Sequence, residues 1–357
     1  MQVSFFETAH YRPPQRPPSG WPVPPIAYDA EAGAAAYRGM LERLALVERL
    51  GFDWISVAEH HYSHRRLTPA PLVVAAHLAG HSTRIRIAVL GPIVSHGNPV
   101  RTAEEVALLD NLMPGRLVVG LLRGTTGEYL SYGLNPEEAR ERTTEAMELI
   151  LRAWTEPQPF GWQGRYFQFR TVAVWPRSRQ QPHPPTYVLG TSRESCEFAA
   201  RHRLGLGLSY APFPVIARAA QFYRDACARE GWQPAPEQLI YRANILLAES
   251  DEKAAAGLAR MWDQSPLPLP AAIGEELIRL DSRNVAGEAR TANVGGTLPT
   301  TFIGCPESVV EQVARCRAEA GVGTLDLFFQ TPDTAPAALI EALTMFGEQV
   351  LPRIREI

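Results

Sequence analysis

Three histidines and a glutamate crowd the stretch FDWISVAEHHYSHRR, residues 52–66, just past an apolar run that reads as a buried strand. Imidazole titrates near neutral pH, which no other side chain does without a strong perturbation. Three roles are therefore open to Glu59, His60, His61 and His64: holding a metal, moving a proton, or filling the polar end of a core. Side chains alternate along an extended chain, so Glu59 and His61 share one face and His60 takes the other. A metal would need further ligands from other loops. His77, His81 and His96 are available, but no HxH or HExxH spacing occurs, and no metal site is expected. Two adjacent histidines beside a carboxylate favour acid–base work, with one of the pair left to a structural role.

The elements that must position these residues follow a regular alternation. Short apolar runs, rich in Val, Ile and Leu, predict strands at 3–6, 52–58, 84–91, 116–122, 186–190, 205–209, 239–248 and 324–330. Most are followed by a helical pattern. The helix after the first strand stops at Gly51, and the one at 98–115 opens on an Asn98 cap with Pro99 at its first position. A second Asn-Pro, at 135–136, predicts another helix start, with acids in its first turn. Strands alternating with helices imply parallel pairing, and eight such units predict an α/β fold, a (β/α)8 barrel spanning 1–357 as one domain. An open doubly wound sheet is the alternative, but no strand leads into a GxGxxG turn.

Three segments break the alternation, at about 8–30, 157–185 and 265–300. The first carries the proline run YRPPQRPPSGWPVPP, which excludes helix and sheet, and it leaves the C-terminal end of a strand, where barrel sites are built. The second predicts a small hairpin excursion. The third, rich in Pro, Gly and Ala, is read as a mobile lid or an insertion without fixed structure.

Composition narrows the function. The 357 residues are 45% hydrophobic and 20% charged, with a formal net charge of -3. That balance suits a soluble globular protein and argues against a nucleic-acid partner. No apolar run is long enough to cross a bilayer, and the N-terminus does not read as a secretory signal. Cys196, Cys227, Cys305 and Cys316 lie far apart, without zinc or disulfide spacing, so a reduced, cytoplasmic protein is expected.

The segment AEHHY after an Asp-Trp strand resembles the corresponding segment of the bacterial luciferase-like flavin monooxygenases. The resemblance continues through NPVRTAEEVALLDNLMPGRLVVGLLRG, ARERTTEAMELILRAWT, HPPTYVLGTSRESCEFAARHRLG, TFIGCPESVVEQVARCRAEAGVGTLDLFF and MFGEQVLPRIRE. The joint order and spacing of these motifs carry it. The family fold is the barrel already inferred.

The resemblance implies that His60 acts near the flavin, with His61 turned away into supporting hydrogen bonds. Arg123 matches the arginine that pairs with the flavin phosphate, a role suited to its planar fork. The GTSRES turn matches the loop around that phosphate. Gly190, Thr191, Ser192 and Ser195 would contact it there, helped by the free N–H groups of the following helix. A plain helix cap by Thr191 or Ser192 is compatible with the same residues. Leu90 and Gly91 lie where many family members carry an unusual cis peptide under the flavin ring. Gly91 lets the backbone approach closely, and Gly91-Pro92 is itself a candidate cis bond. Tyr210 is placed either to stack near the flavin or to close the edge of the core.

The implied activity is that of a two-component monooxygenase. Reduced FMN, supplied by a separate flavin reductase, would react with O2 at its C4a atom, and the peroxide would oxygenate a small organic substrate in a homodimeric enzyme. A deazaflavin F420-dependent hydride-transfer enzyme, a non-catalytic flavin-binding protein and a barrel metallohydrolase are the alternatives. The GTTGEYLSYG loop after Arg123 and the proline-rich loop depart from the luciferases, so an aldehyde substrate does not carry over.

Overall fold

The computed structural model describes the chain apart from residues 16–21, 64, 210, 212, 263–300 and 330–333. In chain order the strands are β1 Gln2–Phe6, β2 Trp54–Val57, β3 Arg86–Ile93, β4 Leu117–Leu122, β5 Phe160–Gln163, β6 Gln168–Val172, β7 Thr186–Leu189, β8 Gly205–Ser209, β9 Leu239–Leu247, β10 Thr301–Gly304 and β11 Thr324–Phe328. Parallel pairing runs β11-β1-β2-β3-β4-β7-β8-β9, and β9 pairs with both β8 and β11, which closes an eight-stranded barrel. All eight strands read from the sequence are the barrel strands. Between them lie α1 Ala30–Leu50, α2 Pro71–Gly80, α3 Pro99–Leu112, α4 Thr126–Ser131, α5 Ala139–Thr155, α6 Arg193–Arg201, α7 Phe213–Arg229 and α8 Asp251–Trp262; the chain then ends in helical segments from Pro306 onward.

Local chemistry sets the helix ends. Asp29 accepts the Ala32 N–H at 2.7 Å to open α1, and Gly51, at φ 86°, closes it in the left-handed region that favours glycine. Asn98 caps α3 through the N–H groups of Val100 and Arg101, with Pro99 next. The second Asn-Pro differs from expectation. The residues after Asn135 make a turn first, and α5 starts at Ala139.

Side-chain alternation divides the core. Val3, Phe5, Ile55, Val57, Ile87 and Val89 face outward into the large layer under the helices, while Trp54, Ala88, Leu90, Val118, Tyr187 and Ile240 fill the barrel itself. The excursion at 157–185 contains the antiparallel β5–β6 hairpin. Glu145 of α5 anchors it by accepting from Trp162 Nε1 and the N–H groups of Tyr166 and Phe167. The sequence did not announce β10, which pairs with the far half of β9, beyond the part that closes the barrel. The loop after β1 holds Pro25–Ala27 in a single 3-10 turn. The segment 265–300, read as a lid or insertion, lies outside the described residues. No helix among the described residues is long and apolar enough to cross a membrane.

Candidate active site

The C-terminal ends of the strands carry two groups of functional side chains. The first is a recess between β4, β7, α5 and α6. Its volume of about 60 Å³ is lined by Arg123, Arg140, Thr144, Gly190, Ser192 and Ser195, among others. At roughly 10–15 Å³ per water-sized group, that is room for about four to six groups of that size, the scale of a phosphoryl group.

Its parts follow from local sequence. Arg123 ends β4, half-buried, and its carbonyl accepts from Ser95 Oγ at 2.8 Å, tying the β3 and β4 exits together. Ser192 caps α6 by accepting the Ser195 N–H at 3.2 Å, with the two hydroxyl oxygens 3.0 Å apart. Thr191 and Ser192 are buried. Gly190 donates its N–H to Gly207 O at 2.9 Å, so it offers the recess no donor. Its contribution is the missing side chain: a Cβ there would stand 2.6 Å from Ser195 Oγ. The structure shows the cap, and the capped α6 N-terminus lies at the same recess as Arg123 and Arg140.

Arg140, which motif reading passed over, joins this recess from the first turn of α5, 3.1 Å from Glu194 of α6. A cation at a helix N-terminus opposes the helix dipole, and that wrong-signed placement was the available signal. Burial pushes the Glu194 carboxyl up, but hydrogen bonds from its own backbone and Ser192, with Arg140 and Arg123 nearby, outweigh it and hold the group below the ordinary range.

The second group surrounds the Glu-His-His segment. Glu59 Oε1 lies 2.7 Å from His61 Nε2, and Glu59 Oε2 accepts the Ile93 N–H at 2.9 Å. The other ring nitrogen of His61 lies 3.1 Å from the Tyr132 hydroxyl. His96 stacks on Tyr132 with centroids 4.3 Å apart. Donor atoms of Glu59, His61 and His96 lie within 4.8 Å of one another, close enough to hold a metal ion, a convergence that HxH spacing could not announce. In this structure Glu59 and His61 spend those atoms on hydrogen bonds that brace the β2 and β3 exits.

His60 points the other way. Its Nε2 lies 3.4 Å from Arg66 Nη1, and its ring is 6.4 Å from Phe6. Burial first, then the charges of Arg66, Arg242 and His61, hold its pKa well below the ordinary value. It is a neutral imidazole at pH 7, and a ring nitrogen facing a guanidinium must accept. That suits a base or an acceptor rather than a standing acid.

Leu90 is buried in the barrel interior, so only its backbone faces the mouth. Gly91 adopts φ 124°, conformation closed to most side chains, and the β3–β4 register slips between Leu90 and Ile93. Gly91-Pro92 is trans; among the described residues the cis bonds are Trp175-Pro176 and Gln181-Pro182. The local irregularity expected as a cis peptide is a glycine bulge. Tyr210 lies outside the described residues. A second cavity, of about 640 Å³, opens under the proline-rich loop against Tyr11, Pro24, Tyr28, Tyr62 and Leu67.

A closed parallel barrel, with a recess lined by two arginines on one side of its mouth and a buried histidine on another, defines the class as an α/β barrel. The luciferase-like monooxygenase family model matches residues 19–324, and the chain belongs to that family. Among curated relatives, an uncharacterised protein of Sinorhizobium fredii is 31% identical over 199 residues, 55% of this chain and 58% of its own length. The oxygenase component of the flavin-dependent trigonelline monooxygenase of Acinetobacter baylyi is 25% identical over 63% of each chain. The alkanal monooxygenase beta chain of Vibrio harveyi is 26% identical over 72% of this chain and 78% of its own. The chain spans less than two thirds of the length of the first two of these relatives. Among solved structures, the monooxygenase RslO1 of Streptomyces bottropensis aligns at TM-score 0.79 with 24% identity over 99% of both chains. The FMN-bound oxygenating constituent of 3,6-diketocamphane monooxygenase from Pseudomonas putida aligns at 0.74 with 16% identity, over 99% of this chain and 98% of that one. At these identities the two structures show the shared fold.

Proposed function

We propose that the protein is the oxygenase component of a flavin-dependent monooxygenase, receiving reduced FMN from a separate reductase and oxygenating a small organic substrate with O2. The observation that carries this reading is the recess: two guanidiniums, a hydroxyl pair and a helix N-terminus around a volume of phosphoryl size, at the same barrel mouth as a neutral histidine. Bound there, the reduced flavin supplies the electrons that activate O2.

The residues divide the remaining work. Arg123 and Arg140 hold the phosphate by charge-assisted hydrogen bonds, and Ser192 and Ser195 add hydroxyls. Gly91 leaves the backbone bare where a planar ring must lie close. His60 accepts a proton from the reacting substrate or holds it by hydrogen bond, and Arg66 keeps its Nε2 lone pair oriented. Glu59 and His61 fix the segment from behind.

The test is anaerobic titration with reduced FMN, oxidised FMN and F420, then admission of O2 to the reduced complex. Preferential binding of reduced FMN, followed by oxygen-dependent absorbance changes, supports the reading. Tight F420 binding with none of these changes would replace it with hydride transfer, and binding of no flavin would leave only the barrel. His60→Ala should bind FMN nearly as the parent does yet lose product, whereas unchanged turnover removes His60 from the chemistry.

The homodimer belongs to the same proposal. Val73 on α2 and Leu108 and Leu112 on α3 are 70%, 49% and 61% exposed on neighbouring helices, an apolar face of the kind that a second copy would cover.

A further inference from the structure

The interior of the barrel mouth carries more positive charge than the described residues neutralise. Parallel register sets Arg242 of β9 beside Asp326 of β11, and Arg242 Nε donates to Asp326 Oδ2 at 2.6 Å. The other Asp326 oxygen accepts from Ser56 Oγ at 2.6 Å. That carboxylate is fully buried and has a partner on each oxygen. Arg242 is not similarly satisfied. Its side chain is 10% exposed, and its Nη2 has no hydrogen-bond partner among the described residues. Leaving such a donor buried and unmade costs on the order of 1–3 kcal/mol, so proteins seldom do it without a use.

A second guanidinium stands close by. Arg66, on the loop after β2, makes no ion pair among the described residues. It lies 5.4 Å over the Phe328 ring and 3.4 Å from His60 Nε2. Arg242 lies 3.8 Å over the Phe6 ring, and Phe6 and Phe328 are 5.5 Å apart. The two guanidiniums therefore flank one aromatic floor, with His60 beside it. Among the described residues Arg242 and Asp326 cancel, His60 is neutral, and Arg66 remains: one positive charge, on the same aromatic floor as the orphaned Arg242 donor.

We propose that Arg66 and Arg242 form the binding site for the acid group of the substrate, and that the substrate is a monoanionic organic acid with a planar apolar body. Its carboxylate or phenolate oxygen takes the orphaned Arg242 Nη2 and neutralises Arg66. Its apolar body lies on Phe6 and Phe328, which brings the atoms next to the acid group within reach of His60. Calling the anion a substrate rests on the oxygenase reading; its binding does not. The reduced flavin ring is itself an anion source with the same chemistry, and the test separates the two.

The experiment is calorimetric titration of the full chain, without and with FMN, using benzoate and its neutral isostere benzamide as probes. The parent should bind benzoate at least roughly tenfold more tightly than benzamide, since one charge-assisted contact is worth on the order of 1.5 kcal/mol or more. Arg66→Met should remove that preference and leave reduced-FMN affinity within about twofold. Arg242→Lys keeps the charge opposite Asp326, guards against misfolding, and should also weaken benzoate. Arg123→Ala, in the phosphate recess, should leave benzoate binding unchanged. Equal binding of the two probes, or of neither at millimolar concentration, overturns the proposal. So does Arg66→Met weakening reduced FMN while sparing benzoate, which assigns the cation to the flavin. Benzoate selectivity in a parent chain that binds no flavin overturns the oxygenase reading alone.

Discussion

Replacing Arg123 by alanine isolates the phosphate contact from the rest of the flavin site, because riboflavin carries the same ring without the phosphate. A charge-assisted hydrogen bond is worth roughly 1.5–3 kcal/mol, which at about 1.4 kcal/mol per decade is a loss of about 10- to 150-fold in affinity. Exposure decides where each arginine falls in that range. Arg123 is half-buried at the end of β4, with hydroxyls and a helix N-terminus around it, and belongs toward the upper part. Arg140 is 37% exposed on its side chain and already 3.1 Å from Glu194, itself 64% exposed, so solvent screens it and the phosphate must share it. Arg140→Ala should therefore cost several-fold, less than Arg123→Ala. Glu194, held ionised by its hydrogen bonds and the two arginines, faces the incoming dianion, so Glu194→Gln should tighten FMN several-fold. The assay is equilibrium quenching of flavin fluorescence for FMN and riboflavin at fixed ionic strength, repeated at high salt to confirm the screening. The reasoning fails if Arg123→Ala weakens riboflavin as much as FMN, or leaves both unchanged.

Three further outcomes follow from buried charge and exposed apolar surface. Arg43 holds the fully buried Glu7 through contacts of 2.6 and 2.9 Å, so Arg43→Met should lower the urea midpoint by the equivalent of about 3–5 kcal/mol, and a midpoint near the parent's would show the pair to be dispensable. His10 is pushed by burial to a pKa of about 4. Its unfolded form binds a proton near pH 6.5 and its folded form does not until about pH 4. Stability should fall as pH drops between those values, by about 3 kcal/mol from this group, and this contribution should be flat below. His10→Gln should flatten that slope in denaturant titrations, while an unchanged slope would shift the acid sensitivity to other histidines. Leu112→Arg should turn a dimer into a monomer in sedimentation without loss of helicity; a persistent dimer moves the interface off α3.

The barrel was legible because parallel strands are buried on both faces, so LVVGLL and RIAVLGPI read as apolar runs without ambiguity of type. The strand β10 was not, because its four residues TFIG are too short to show a period and pair only with the overhang of β9. The site split along the same line. Period-two alternation sufficed to put Glu59 with His61 and His60 opposite, because the three are neighbours in the chain. Arg140 carried a signal in its wrong-signed place at a helix start, but its partner, Glu194, is 54 residues away. Arg242 and Asp326 each stood out as one charge inside an apolar strand, LIYRANILL and TLDLF, and that alone marks a charge requiring a partner. Which partner depends on the β9–β11 register, across 84 residues, and on Ser56 arriving from 270 residues away. Once the register is known, charge counting becomes decisive. Asp326 is the carboxylate paired with Arg242, and both its oxygens are taken, so it cannot also serve Arg66. Had β1 or β2 carried a second acid at the mouth in place of Ser4 or Ser56, the two guanidiniums would need nothing from outside. With serines there, no carboxylate among the described residues meets Arg66, and that is the place the proposed anion would take.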